Sequence, residues 1–175
     1  VLTSPPYGDS ITTVAYGQFC KFSSLWVGLS HYLATRLDRL SLGGGPSSSV
    51  SIDSVASPLL TRTLEVLDQL GSSRRPSVLH FFADIGISLL EIERSLKKGG
   101  VLCLVVGNRT VSRTKLPTAE ILEELLRGSG RFRHEETFER HIPFKTLPWA
   151  NAPENVPNCR GETISRESVL VFSRT

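Results

Sequence analysis

The sequence predicts an α/β fold with a doubly wound, mostly parallel sheet that ends in an antiparallel hairpin. Residues 101–106 form an uninterrupted apolar run of strand length, which is typical of a strand buried on both faces of a parallel sheet. The segments before it have helical periodicity and would supply the crossover that parallel strands need. Two strand-like segments, residues 132–142 and 167–173, close the sequence and predict the hairpin.

Length and composition fit one ordinary globular domain, residues 1–175. Hydrophobic residues make up 39% and charged residues 21% of the chain, and the net charge of +3 gives no strong polyanion signal. Cys20, Cys103 and Cys159 lack disulfide or zinc-site spacing, so we expect a reducing, cytoplasmic compartment and no metal. No apolar run has the length of a membrane helix, so we expect no membrane contact.

The chain begins with an apolar dipeptide, Val1–Leu2, which we interpret as the end of a buried strand. Ligands of open α/β sheets bind at the carboxyl ends of strands, so the residues after Leu2 are candidates for the site. A chain that opens inside a strand and contains no methionine is expected to be a fragment, or the second piece of a longer protein.

The stretch Thr3-Ser4-Pro5-Pro6-Tyr7 combines a stiff backbone with polar and aromatic groups. Two consecutive prolines fix φ and leave carbonyl oxygens free as acceptors. The Ser4 hydroxyl can accept a hydrogen bond from an amino group, and the Tyr7 ring can stack on a planar ring. Such a corner suits chemistry on the exocyclic nitrogen of a nucleobase.

Residues 11–32 carry apolar side chains at three- and four-residue steps and predict an amphipathic helix. We expect these side chains in the core, although Tyr16 and Phe19 lie near enough to the Ser-Pro-Pro-Tyr stretch for ligand contact to be equally reasonable. Residues 33–42 also look helical, and the glycines and serines of about 43–50 predict a flexible surface loop. The expected core residues of the first helix are Val14, Phe19, Phe22, Leu25, Trp26 and Leu29.

Three helices are predicted in the middle of the chain. Ser57 is a typical N-cap, with a proline in the first turn, and that helix should end at Gly71. After a basic connector, residues 72–76, a long helix covers about 78–98 and ends in two lysines that suit the negative end of the helix dipole. Residues 117–127 form the third helix.

The stretch from Thr3 to Tyr7 resembles motif IV of the DNA amino-methyltransferases, in the variant associated with cytosine-N4 methylation. Adenine-N6 enzymes more often have Asp or Asn in place of Ser4. Residues 7–19, residues 101–111 and residues 140–145 with the later Asn-Ala-Pro resemble the same group of site-specific enzymes in the same order. The resemblance covers nearly the whole chain and implies the second half of a Rossmann-like methyltransferase sheet. It also implies S-adenosyl-L-methionine as methyl donor and double-stranded DNA as substrate.

The resemblance implies a catalytic role for Ser4, Pro5, Pro6 and Tyr7. A flipped cytosine would stack on Tyr7, while its amine donates to the Ser4 hydroxyl and the Pro5 carbonyl. Thr3 and Ser4 would also contact the cofactor. Asp9 would shape the motif from behind, and a turn or helix-cap role explains it equally well.

Basic residues bracket a long Pro- and Asn-rich loop over residues 143–160. Arg140, Lys145, Arg160 and the later Arg166 are candidates for contacts to DNA phosphates. A solvated basic rim explains them equally well.

The cofactor loop of the family, a Phe-x-Gly-x-Gly turn followed by an acidic ribose-binding residue, is not in this sequence. The turn at Gly107 follows a strand but lacks the second glycine. We therefore expect the chain to need a complementing amino-terminal half. Three alternatives remain open: methylation of an RNA amine, methylation of adenine N6, and an inactive subunit that completes the fold of a partner.

Overall fold

The computed structural model describes residues 1–8, 16–44, 56–142 and 164–175. These residues form a mixed α/β structure. Its strands are β1 (Leu2–Thr3), β2 (Val101–Val106), β3 (Arg109–Val111), β4 (Thr114–Leu116), β5 (Phe132–His141) and β6 (Arg166–Arg174). Its helices are α1 (Tyr16–Trp26), α2 (His31–Ala34), α3 (Leu37–Leu40), α4 (Pro58–Gln69), α5 (Arg75–Ser95) and α6 (Thr118–Gly128).

The main sheet has the strand order β1-β2-β6-β5. β1 is parallel to β2, whereas β6 is antiparallel to both of its neighbours, β2 and β5. The terminal antiparallel pair was therefore predicted correctly. The mostly parallel arrangement is not found among the described strands, because β6 enters between β2 and β5 in the opposite direction.

The core lies on one face of this sheet. Leu102, Leu104 and Val106 of β2 and Leu170 and Phe172 of β6 are buried there in one apolar cluster with residues of α4, α5 and α6. Successive side chains of a strand point to opposite faces, and on the other face of β2 the first residue is 47% exposed. The prediction that residues 101–106 are buried on both faces is wrong, because the helices of this cluster all pack on the same side.

The first helical region differs most from the sequence prediction. α1 begins at Tyr16 and does not pack with its aromatic residues inside: Phe19, Phe22 and Trp26 are 78%, 77% and 95% exposed. The expected core role of these side chains is therefore wrong in the described structure. α1 contacts the short helices α2 and α3. The Gly17 backbone N–H donates a 2.7 Å hydrogen bond to Oδ1 of Asp38 in α3. Val14 lies outside the described residues.

The expected helix over residues 33–42 is divided into α2 and α3. The Thr35 backbone N–H and hydroxyl both donate to the His31 carbonyl, which closes α2 one residue after its end. Gly43 adopts a positive φ of 67° and ends the region. Most of the predicted surface loop, from residue 45 onward, lies outside the described residues.

The middle helices agree closely with their sequence signals. The Ser57 side chain accepts a 3.0 Å hydrogen bond from the Leu60 N–H, as an N-cap does, and Gly71 ends the region after α4 with a φ of 62°. α5 begins at Arg75, so part of the expected connector is helical; Pro76 fits in its first turn, where no N–H is needed. α5 ends at Ser95, three residues earlier than predicted.

The hairpin of β3 and β4 was missed. Its two turn residues, Ser112 and Arg113, have φ angles of 47° and 62°. Such turns usually carry Asn-Gly or Asp-Gly, so a Ser-Arg pair gives no hairpin signal in the sequence. The hairpin follows β2 directly and so lies beside the carboxyl end of that strand.

Replacing Ser57 by Ala should lower the free energy of unfolding by about 1–2 kcal/mol, because α4 loses its N-cap. The Ser57 hydroxyl also donates to Glu124 of α6 at 2.6 Å, so the effect should lie in the upper part of that range. Urea denaturation measures it. The matched control is Ser95→Ala, which removes an exposed hydroxyl bonded to the Glu91 carbonyl and should change stability by less than about 0.5 kcal/mol. Equal effects of the two variants would contradict the cap.

Candidate functional site

The Ser-Pro-Pro-Tyr stretch lies directly after β1, at the tip of the strand as expected. Leu2 and Thr3 pair in parallel with Cys103 and Leu104 of β2. Because the two strands run in the same direction and Thr3 pairs with Leu104, the residues after Thr3 lie beside those that follow Leu104. The carboxyl ends of β1 and β2 therefore form one edge, which is where open α/β sheets bind ligands.

Ser4 presents its hydroxyl at this edge. The residue is exposed, and its Oγ lies 3.4 Å from the Tyr7 phenol oxygen. Pro5 and Pro6 are half-buried between them and fix the spacing through their restricted φ angles. A ligand amine can therefore reach the hydroxyl of Ser4 without moving the backbone.

Tyr7 is anchored by a residue that the sequence reasoning missed. Its hydroxyl donates to Oε1 of Glu167, which is 7% exposed at the start of β6. The other carboxylate oxygen of Glu167, Oε2, accepts hydrogen bonds from Nε of Arg140 at 3.0 Å and from Nη2 of the same guanidinium. The chain Tyr7–Glu167–Arg140 thus connects the tip of β1 to the ends of β6 and β5. No motif marks Glu167, since a single acidic residue at a strand end is usually solvated.

These contacts raise the pKa of two groups. Burial raises the pKa of the Tyr7 phenol, and the hydrogen bond to Glu167 raises it further. The hydrogen bond to Glu167 raises the pKa of the Arg140 guanidinium. Both shifts favour the form that each group already has at neutral pH, a neutral phenol that donates and a cationic guanidinium.

Two glycines let the backbone approach this corner. A Cβ on Gly107 would lie 3.0 Å from Cδ2 and Cε2 of the Tyr7 ring and 2.9 Å from Cγ2 of Ile164. A Cβ on Gly8 would lie 1.6 Å from Nη1 of the buried Arg109. Gly107, considered from the sequence only as an incomplete cofactor turn, thus packs against the Tyr7 ring.

An apolar cavity of about 230 Å³ lies next to the same stretch. Thr3, Ser4, Pro5 and Pro6 line it together with side chains of α5 and with Leu104, and none of its lining residues is charged. S-adenosyl-L-methionine carries a sulfonium, an ammonium and ribose hydroxyls, which call for acidic or polar partners. The described residues of this cavity therefore fit the donor only in part, as one wall with the Thr3 and Ser4 hydroxyls.

The expected phosphate-binding residues are only partly placed. Lys145 and Arg160 lie outside the described residues. Arg140 is 64% exposed at its side chain and is paired with Glu167, as described above. The side chain of Arg166 is 69% exposed, and its Nη1 lies 3.2 Å from Oε2 of Glu139. Each described arginine of the rim therefore has a carboxylate neighbour.

A second, polar cavity of about 300 Å³ lies between the β3–β4 hairpin and the ends of β5 and β6. Its charged lining residues are Lys115, Glu120, Glu139 and Arg166. Two cations and two carboxylates balance, so its formal charge gives no preference for an anion.

Other site types find no support in the described ranges. Within residues 1–8, 16–44, 56–142 and 164–175, no three His, Cys, Asp or Glu side chains are grouped to hold a metal ion. Cys20 and Cys103 are both free thiols. Among the helices described, none combines the length and apolar character needed to cross a membrane.

Comparison with known proteins finds a similarity to a methyltransferase. The chain is 35% identical over 179 aligned residues to the type II methyltransferase M.MvaI of Kocuria varians. The alignment includes 98% of this chain and 39% of that protein, so the chain spans about two-fifths of the length of the curated relative. No family model matches the chain, and no solved structure matches it. Nearly the whole of this chain is thus similar to one part of a type II methyltransferase.

Proposed function

We propose that this chain is the amine-binding half of a DNA methyltransferase that acts on an exocyclic amino group, cytosine N4. The exposed Ser4 hydroxyl beside the anchored Tyr7 at the tip of β1 carries the proposal. The similarity to a type II methyltransferase supports the reaction class. The serine of the Ser-Pro-Pro-Tyr stretch supports cytosine over adenine, through the resemblance of that stretch to motif IV of cytosine-N4 enzymes.

The proposed chemistry needs three properties of this corner. A flipped cytosine enters with its amine toward Ser4 and donates to the Ser4 Oγ and the Pro5 carbonyl. These acceptors favour a pyramidal nitrogen whose lone pair points at the methyl group. Tyr7, which is half-buried, offers the accessible part of its ring for stacking. Catalysis then comes mostly from positioning and local electrostatics.

S-adenosyl-L-methionine would supply an electrophilic methyl group on a sulfonium. In our proposal the Thr3 and Ser4 hydroxyls form one wall beside this donor. A complementing half with the Phe-x-Gly-x-Gly loop provides the charged and ribose-binding groups, which the uncharged lining of the apolar cavity does not offer. The proposed enzyme is therefore active only with both halves together.

DNA would approach from the edge that carries Arg140. The guanidinium of Arg140 has five N–H groups, of which the bonds to Glu167 use only Nε and one N–H of Nη2. Other N–H groups of Arg140 can therefore donate to a phosphate. Lys145 and Arg160 are proposed as further phosphate contacts through the family resemblance. Each such contact adds sequence-independent, salt-sensitive affinity.

The test is methyl transfer from labelled S-adenosyl-L-methionine into duplex DNA, with the chain co-expressed with a half that carries the cofactor loop. Nucleoside digestion should place the label in N4-methylcytosine. Label in N6-methyladenine would reassign the target base, and label in structured RNA instead of DNA would reassign the substrate. No transfer, in a complex that binds both the donor and DNA, would favour an inactive subunit.

Calorimetry separates the roles of the two halves. The 175 residues alone should bind S-adenosyl-L-methionine weakly or not at all, and the complex should bind it stoichiometrically. Tight stoichiometric binding by the chain alone would contradict the proposed division of the site.

A further inference from the structure

We propose that Glu167 is a positioning residue, which holds the Tyr7 ring at the amine-binding corner and connects it to Arg140 at the rim. The inference rests on the proposed function and assigns a role to a side chain that neither the motif nor the family resemblance marks. It follows from the contacts of the buried carboxylate.

The first step concerns charge. Glu167 is 7% exposed, and a buried carboxylate is stable in its ionised form only with close donors. Arg140 supplies two of them to Oε2, with Nε at 3.0 Å. With Oε2 bound to the guanidinium, Oε1 accepts the hydrogen bond from the Tyr7 hydroxyl.

The second step concerns the orientation of Tyr7. Its hydroxyl donates to Oε1, and the backbone of Gly107 closes one side of the ring. A ring that is held at its hydroxyl and along one edge has little freedom to rotate about its side-chain bonds. Stacking on a base then costs less ordering entropy, since the ring is already fixed.

The third step separates this role from general stabilisation. β5 and β6 pair in unbroken register from Glu136–Val171 to His141–Arg166, and the Ile142 N–H donates to the Ser165 carbonyl at 3.0 Å just beyond the Arg140–Glu167 pair. These bonds do not depend on the Glu167 side chain. Its replacement should therefore release Tyr7 while the strands stay together.

The test combines Glu167→Gln, which keeps the size and one acceptor oxygen but removes the charge, with Tyr7→Phe, which removes only the phenol oxygen. Each single variant, in the two-half complex, should lower kcat by about 10-fold or more, with a smaller change in KM for DNA. The double variant should be no slower than the slower single variant, because both changes break the same contact. Multiplying effects would overturn the proposal.

A second readout does not need methyl transfer. Ultraviolet titration of the tyrosines should show one phenol with a raised pKa, absent in Tyr7→Phe and moved down in Glu167→Gln. An unmoved titration in Glu167→Gln would overturn the contact itself. If the wild-type complex transfers no methyl group but the titration behaves as expected, the proposed function fails and the positioning contact stands.

The matched control is Glu135→Gln. Glu135 lies in β5 at the register shift of the β5–β6 pair, toward the far end of the strands, and it accepts hydrogen bonds from Arg133 and Ser173. It should leave kcat and the Tyr7 titration unchanged. A loss of activity in this control equal to that of Glu167→Gln would show a general effect of charge on the sheet and overturn the specific role.

Discussion

Replacing Ser4 by Ala should lower the rate of methyl transfer by about 10²-fold or more, which corresponds to at least about 2.7 kcal/mol of transition-state stabilisation. The proposed role of the hydroxyl is to accept from the target amine while its nitrogen becomes nucleophilic. Ser4 is exposed and its described side-chain contact is the 3.4 Å approach to Tyr7, so the folded structure loses little. Labelled transfer by the two-half complex measures the rate.

The control for this change is Ser95→Ala, the same substitution at an exposed serine in the last turn of α5. It should leave the rate unchanged. A wild-type rate in Ser4→Ala would end the catalytic interpretation of the motif. Tyr7→Ala should also be severely impaired, since base stacking contributes about 1–3 kcal/mol, but it is less clean because it removes a hydrogen bond to the buried Glu167.

Replacing Phe82 by Ala should lower the free energy of unfolding by roughly 3–5 kcal/mol. Phe82 is 0% exposed and packs edge-to-face on Phe81, with ring centroids 5.2 Å apart. The change loses the transfer free energy of the ring and leaves a cavity against the sheet. Since single domains are stable by about 5–15 kcal/mol, part of the variant population should be unfolded in mild denaturant.

Phe22→Ala is the matched control, because it removes the same ring from a helix position that is 77% exposed. Its effect on the free energy of unfolding of the chain alone should stay within about 0.5 kcal/mol. Urea denaturation of both variants, followed by circular dichroism, makes the comparison. A cost for Phe22→Ala similar to that for Phe82→Ala would mean that α1 is packed in the solution structure.

The sequence predicted the elements whose local signals agree with their packing. Ser57 and Gly71 mark the ends of the α4 region, and the apolar run of β2 forms the expected strand. The prediction that the aromatic residues of α1 lie in the core was wrong, because helical periodicity shows that a helix has an apolar face but not what covers that face. The β3–β4 hairpin was not predicted, because Ser112 and Arg113 adopt the positive φ angles of the turn although neither is a usual turn residue.

The candidate site divides in the same way. The position of Ser4 and Tyr7 just beyond a strand was predictable, because an apolar strand end precedes them and the prolines between them stiffen the turn. Glu167 was not predictable, since its role depends on a strand pairing that brings residues from opposite ends of the chain together. Neither the buried position of that carboxylate nor its pairing with Arg140 has a local sequence signature.

The position of β6 between β2 and β5 also constrains how the chain can fold. β6 follows β5 in the sequence, yet Val101 at the start of β2 pairs with Ser173 near the end of β6. Neither β2 nor β5 can begin to pair with its central partner during synthesis until the first residues of β6, from Arg166 onward, have left the ribosome. Pairings of such long sequence separation have high contact order and form slowly. The anchor of Tyr7 should therefore be among the last contacts to form, so folding of the helical core would precede assembly of the proposed active corner.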